Sequence, residues 1–192
     1  MTTTKVLFNV SLIVTFLAFG AAEAASSQDF LDQVSIKEKT LDSSLPMRVQ
    51  RFSTDGAYLG KAKHSDTARI VQDSVGGMLL VDLIEELREG GFADVAEYDP
   101  AEVIEGPYYL LSGDFTELNP GSQSARVIWG LGAGKSKVCV KGEIHHLPDR
   151  VAGTFASCDK SLGWGDSKDQ LESEAYRLGV EIGAFLVDWS KR

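Results

Sequence analysis

Gly134-Lys135-Ser136 is the ending that a phosphate-cradling loop requires, and it closes a glycine-rich run from Ile128 to Lys137. Such a loop also needs glycine five positions before the second one, and Trp129 stands there. The dinucleotide pattern fails as well: Gly130 and Gly132 fit, but its third glycine falls on Lys135. Both motifs rely on free amides at the start of a following helix. Ser136 to Ile144 alternates instead, apolar residues on one side and Lys137, Cys139, Lys141 and Glu143 on the other. The run is therefore read as a bend feeding a strand, with no nucleotide and no cofactor. Glycine there serves backbone geometry; in a second reading, Trp129 and Leu131 form an apolar loop that meets a partner. Lys135, Lys137 and Lys141 form a positive ladder on the same segment. It is either a contact for an acidic partner or a solvated face.

The chain has two cysteines. If Pro148-Asp149 is the centre of a hairpin turn, Ile144 faces Gly153, Gly142 faces Phe155 and Val140 faces Ser157. The same register sets Cys139 opposite Cys158, within disulfide reach. A Cys139–Cys158 bond is the expectation in an oxidising compartment, and two free thiols are the alternative. His145 and His146 are adjacent on a strand and point to opposite faces, so they cannot chelate one ion together. His64 is the remaining one of three histidines, too few donors for a structural metal site. Asp114, in "SGDF", is the carboxylate whose strand face could bury it and raise its pKa. It has no evident acid/base partner, so no catalytic residue is assigned.

The elements that must carry these residues are legible as patterns. Leu45 to Phe52 reads as a strand. From Asp66, Val71, Val75, Leu79, Leu83 and Leu87 recur at helical spacing, with Ile70, Met78, Leu80 and Ile84 widening the stripe. Gly90-Gly91 ends that helix, and Gly76-Gly77 inside it suggests a close contact. Ala93 to Tyr98 and Tyr108 to Leu118 are strands, and a hairpin follows around Pro148. Leu171, Ala175, Leu178, Ile182, Phe185 and Trp189 mark a closing amphipathic helix from Ser167. Glu172, Glu174 and Glu181 lie largely off that stripe and read as solvated. The pattern predicts an α+β domain over 45–192: a mainly antiparallel sheet of four to five strands, with two long helices packed on one face.

The chain of 192 residues is 43% hydrophobic and 24% charged, enough for one buried core. Lys5, the apolar run Val6 to Phe19 and Ala22-Glu23-Ala24 read as a signal peptide over 1–24. The run is short against the roughly 20 residues a bilayer span needs; an uncleaved anchor is the alternative. Residues 25–44 read as a lead-in or tether. The protein is expected in the periplasm or secreted. Membrane association stays open, but no cysteine stands near the cleavage site to bear a lipid. A net charge of −9 and a pI near 4.8 disfavour nucleic acid as a partner.

"YYLLSGDFTEL", "ARVIWGLGAGKSKVCVKGEI" and the closing amphipathic helix together resemble the bacterial domain of unknown function 4410. The likeness covers about Leu45 to Trp189 and is most specific from Gly113 to Gly142. It implies an exported envelope protein, often a lipoprotein, with an α+β domain similar to accessory domains of envelope assembly and secretion. It implies no activity and no catalytic residues. The leading functional reading is a non-enzymatic binding or assembly module for an envelope protein or other envelope component. A small exported hydrolase around Asp114 and a carrier of a small apolar ligand are the rivals.

Overall fold

A computed structural model describes residues 31–62, 65–122, 135–160 and 166–192. The signal segment 1–24 lies outside them. In chain order the elements are β1 (Gln33–Ile36), β2 (Met47–Val49), α1 (Ser65–Glu89), β3 (Val95–Glu97), β4 (Tyr108–Asn119), β5 (Lys137–Leu147), β6 (Arg150–Asp159) and α2 (Ser167–Ser190). The strands form one six-stranded sheet in the order β1-β6-β5-β4-β2-β3. β4, β5, β6 and β1 pair antiparallel, whereas β2 pairs parallel with both β3 and β4. The sheet is thus mixed and six-stranded, where a mainly antiparallel one of four to five strands was expected. The reason is β2-α1-β3: a helix between neighbouring strands returns the chain to its starting end, which makes the pair parallel. β1 supplies the sixth strand from within the expected tether. Its four residues alternate in exposure against β6, too short a stretch to show a period.

The hairpin register is the one the turn implied. Ile144 faces Gly153, Gly142 faces Phe155, Val140 faces Ser157 and Cys139 faces Cys158. Nearer the turn the register slips by one after Ile144, so Ala152 and Gly153 are both buried. This is the usual consequence of an extra residue in one strand. The Leu147–Pro148 peptide is cis.

Both helices join the inner face of the sheet in one apolar core that includes Val71, Leu79, Leu83, Tyr109, Phe115, Val140, Leu178 and Trp189. α1 ends where glycine permits it. Gly91 has φ +100, Phe92 N–H donates to the Leu87 carbonyl and Gly91 N–H to that of Arg88. That is a left-handed cap with Leu87 and Phe92 both buried. Asp166 caps α2 by accepting from the Lys168 amide at 3.2 Å. Gly76 and Gly77 make room for the Arg51 guanidinium, which would meet a Cβ at either position at 3.2 Å. Arg51 also pairs with Asp73 at 3.0 Å.

Two expectations for the helices are corrected. Ile70 is 76% exposed and Met78 40% exposed, so they lie outside the core stripe rather than widening it. Glu174 is fully buried. Its carboxylate accepts from the Ser136 hydroxyl, which also lies 3.0 Å from Gln170 Oε1. Polar partners at the start of β5 thus let a carboxylate enter the core. Glu181 is only partly withdrawn, and burial followed by the nearby Asp159 raises its pKa.

The helices run side by side in the same direction, with Gly179 against Leu79 and Leu83, and Gly183 against Glu86. A Cβ at Gly179 would stand 2.8 Å from the Leu79 carbonyl oxygen. On the other face of the sheet, the connection from β3 to β4 is held by Arg48. Its guanidinium forks onto Glu102 at 2.7 Å and onto Asp94 at 3.1 Å and 3.2 Å. Hydrogen bonding from Arg48 holds the Glu102 carboxyl below its ordinary 4.5.

Two predictions follow from this packing. Helix propensity alone makes any Gly→Ala change favourable by about 1 kcal/mol. Gly77→Ala, which meets only the flexible end of Arg51, should show that gain. Gly179→Ala should reverse it, losing about 1–3 kcal/mol because backbone must move; urea unfolding of both variants checks the opposite signs. For Glu102, a lowered folded pKa means its support is present above the unfolded value and is lost as pH falls through the folded one. The urea midpoint of Glu102→Gln should therefore lie below wild type at pH 7 and converge on it as pH falls below the ordinary glutamate range.

Candidate functional site

The outer face of the sheet, away from the helices, carries an open groove of about 700 Å³ crossing four strands and the segment after β2. Its walls follow from strand registers. One row runs Ser35, Thr154, Glu143, Ser112 across β1, β6, β5 and β4. The next runs Gln33, Ala156, Lys141, Asp114 and reaches Ser53 by an isolated bridge. Between them the inward row includes Gly142 and Gly113, so only backbone separates the groove from the core there. Alternation along each strand places every second side chain on this face. Gln50 and Arg51 close one end.

The two cations of the groove, Arg51 and Lys141, each lie against a carboxylate. Lys141 Nζ lies 3.3 Å from Asp114 Oδ2, Arg51 meets Asp73, and His145 Nε2 lies 3.1 Å from Glu143 Oε2. What remains is a band of hydroxyl and amide groups from Ser35, Ser53, Ser112, Thr154, Gln33 and Gln50. Such a surface can exchange hydrogen bonds with a polar partner laid across the strands. Asp114 is 48% exposed in its side chain, in an open groove and ion-paired, not enclosed as its apolar neighbours suggested. His146 turns away toward Glu38 at 2.9 Å and Arg150 at 3.0 Å, its ring tilted against that of Tyr109 with centres 4.7 Å apart. Burial raises the Tyr109 pKa. Among the described residues, neither histidine of the hairpin is bonded to a serine or cysteine. No group of three or more metal-ligating side chains occurs among the described residues.

Of the residues singled out in the sequence, Cys139 and Cys158 are joined, with sulfurs 2.15 Å apart. Trp129 and Leu131 lie outside the described residues. Lys141 lines the groove, while Lys137 is drawn to Glu117 at 2.6 Å. Lys135 precedes β5 and does not reach the groove. Two members of the lysine ladder are therefore neutralised by carboxylates of β4. Thr154, Ser112 and Arg51 are the groove residues that residue types alone did not flag. Thr154 was reachable, since the hairpin register already placed it opposite Glu143. Ser35 and Gln33 were not, because nothing announced β1.

A family model described as "Domain of unknown function (DUF4410)" matches residues 29–164. Solved structures with a similar chain include the PelC dodecamer from Paraburkholderia phytofirmans, 16% identical with a TM-score of 0.49. That match covers 78% of this chain and 97% of that one. Another is a putative neuraminyllactose-binding hemagglutinin homolog from Helicobacter pylori, 8% identical with a TM-score of 0.42, covering 79% of this chain and 88% of that one. No curated protein matches the sequence. The family match spans most of the chain, including β1 through β6 and thus the whole groove: this protein belongs to the DUF4410 family.

Proposed function

We propose that the protein is an exported, non-catalytic binding or assembly module of the cell envelope, and that it receives its partner across the open face of the sheet. The observation that carries this reading is the pair of polar rows spanning β1, β6, β5 and β4. They offer many hydrogen-bonding groups on a rigid frame, with Lys141 and Asp114 paired to each other. A rigid scaffold that presents polar side chains in fixed spacing suits recognition. A hydrolase would need a base poised against a nucleophile, and the carboxylate nearest to that role, Asp114, is occupied by Lys141. An apolar carrier would need an apolar enclosure, whereas this groove is open and mixes polar with apolar surface.

Export is supported by the basic start, apolar run and Ala22-Glu23-Ala24 exit. It is supported separately by the Cys139–Cys158 bond, since such bonds persist in oxidising compartments. Lys141 is the member of the lysine ladder that fits a partner contact in the groove.

Site-specific photocrosslinking in intact cells tests the reading. A photoreactive residue at Ser112 or Thr154 should trap a discrete adduct, and one at the exposed Tyr176 on α2 should not. Thr154→Arg, which fills the groove, should cut the Ser112 adduct about tenfold. Equal adducts from all three positions contradict the proposal. So does hydrolysis of a simple ester or peptide by the pure protein that disappears in Asp114→Asn.

A further inference from the structure

α1 is apolar on two sides. Its core side packs under the sheet, but Ile70, Met78 and Val81 are 76%, 40% and 60% exposed. At 1.5 Å per residue the stretch from Ile70 to Val81 is about 16 Å long, close to three helical turns. Ile70, Ser74, Val81 and Glu85 fall within a narrow angular sector of the helix, with Met78 on its flank. A surface helix ordinarily turns polar residues outward, so an apolar stripe on this side needs a reason.

The stripe runs into a shallow groove of about 550 Å³, lined by Val81, Ile84, Glu85, Arg88, Glu89 and Glu97. Its charge is unbalanced. Among the described residues no cation lies within ion-pairing distance of Glu85, Glu89, Glu97 or Asp82. Arg88, the one cation in the groove lining, is turned to the Val95 carbonyl at 2.7 Å and 3.1 Å. Crowding is visible in Asp82, whose pKa is raised by burial and then by Glu85. On the outer sheet face, by contrast, Asp114 is paired with Lys141.

We infer that this face of α1 is a second docking surface, and that its occupant is a cationic amphipathic helix of another protein. Apolar residues on one side of that helix would cover Ile70, Met78 and Val81. Its lysines or arginines would neutralise Glu85, Glu89 and Glu97. A second copy of this chain fits poorly: a two-fold contact would press two acidic rims together on molecules that each carry −9. Anionic lipid is repelled for the same reason. The site is distinct from the sheet groove, so the module would hold one partner on each side.

The test uses the purified full-length mature chain and a fluorescein-labelled model peptide of leucine and lysine patterned as an amphipathic helix. A companion peptide has glutamate at every lysine position. Fluorescence anisotropy should show saturable binding of the lysine peptide and none of the glutamate peptide. Glu85→Lys/Glu89→Lys and Val81→Asn should each weaken binding about tenfold or more. Glu105→Lys/Asp149→Lys, an equal charge change at exposed positions elsewhere, should leave it within about twofold. All these positions are exposed, and circular dichroism checks that each variant is folded. The inference is overturned if the two charge variants weaken binding equally or Val81→Asn has no effect. It is also overturned if sedimentation shows a dimer that Val81→Asn dissolves, or binding to mixed phosphatidylcholine and phosphatidylglycerol vesicles that the same change abolishes.

Discussion

Two glycines that face each other in the middle of the sheet, Gly113 on β4 and Gly142 on β5, govern much of what surrounds them. They leave the inner surface bare at one spot, and aromatic rings fill it. A Cβ on Gly142 would stand 2.4 Å from Phe155 Cζ, and one on Gly113 would stand 2.5 Å from Phe52 Cε2. Phe52 sits 6.4 Å from both Phe115 and Phe155, ring centre to ring centre. Seating Phe52 there fixes the irregular segment after β2 against β4, where Ser53 exchanges backbone hydrogen bonds with Gly113 and Phe115. The next side chain back, Arg51, then reaches α1 over Gly76 and Gly77. One bare row thus sets the strand segment, and through it the place of the first helix. On the other side of the sheet, the same row gives the polar groove its thin floor.

The helices answer to a similar constraint. Gly179 and Gly183 let α2 lie close on α1, so α1 is gripped between its neighbour and the sheet. Close packing makes such sites sensitive to a single methyl group. What α1 turns outward is then decided by the sequence alone, and the sequence puts Ile70, Met78 and Val81 there. Buried polar groups follow the same logic of local partners. Glu174 enters the core beside Ser136 and Gln170, and Arg48 is nearly buried between two carboxylates.

Much of the fold could be read from residue order, and the failures have physical causes. The β5–β6 register was legible because a turn and an alternation are both local, and together they placed Cys139 against Cys158. The parallel pairs were missed because β2 and β3 are three residues each, and their direction depends on where α1 returns the chain. β1 was missed because four residues cannot display a period, and its partner β6 lies more than a hundred positions away. The face of α1 was misread because apolar residues surround the helix, so spacing alone cannot say which side meets the core. The groove was half legible. Its β5 and β6 walls come from one hairpin, whereas its β1 and Ser53 walls depend on long-range pairing.

The outer face of the sheet is polar, and the outward face of α1 is apolar and bordered by Glu85, Glu89 and Glu97. Both faces depend on the central glycine row being filled by Phe155 and Phe52. The most direct test is a double-mutant cycle between Gly142 and Phe155, read by equilibrium unfolding. If the ring occupies the space a side chain would need, Gly142→Ala will be destabilising in the wild-type background. With Phe155→Ala already in place, the penalty will shrink by about 1 kcal/mol or more. Penalties that add to within about 0.5 kcal/mol would contradict it, because the two residues would then not share that space.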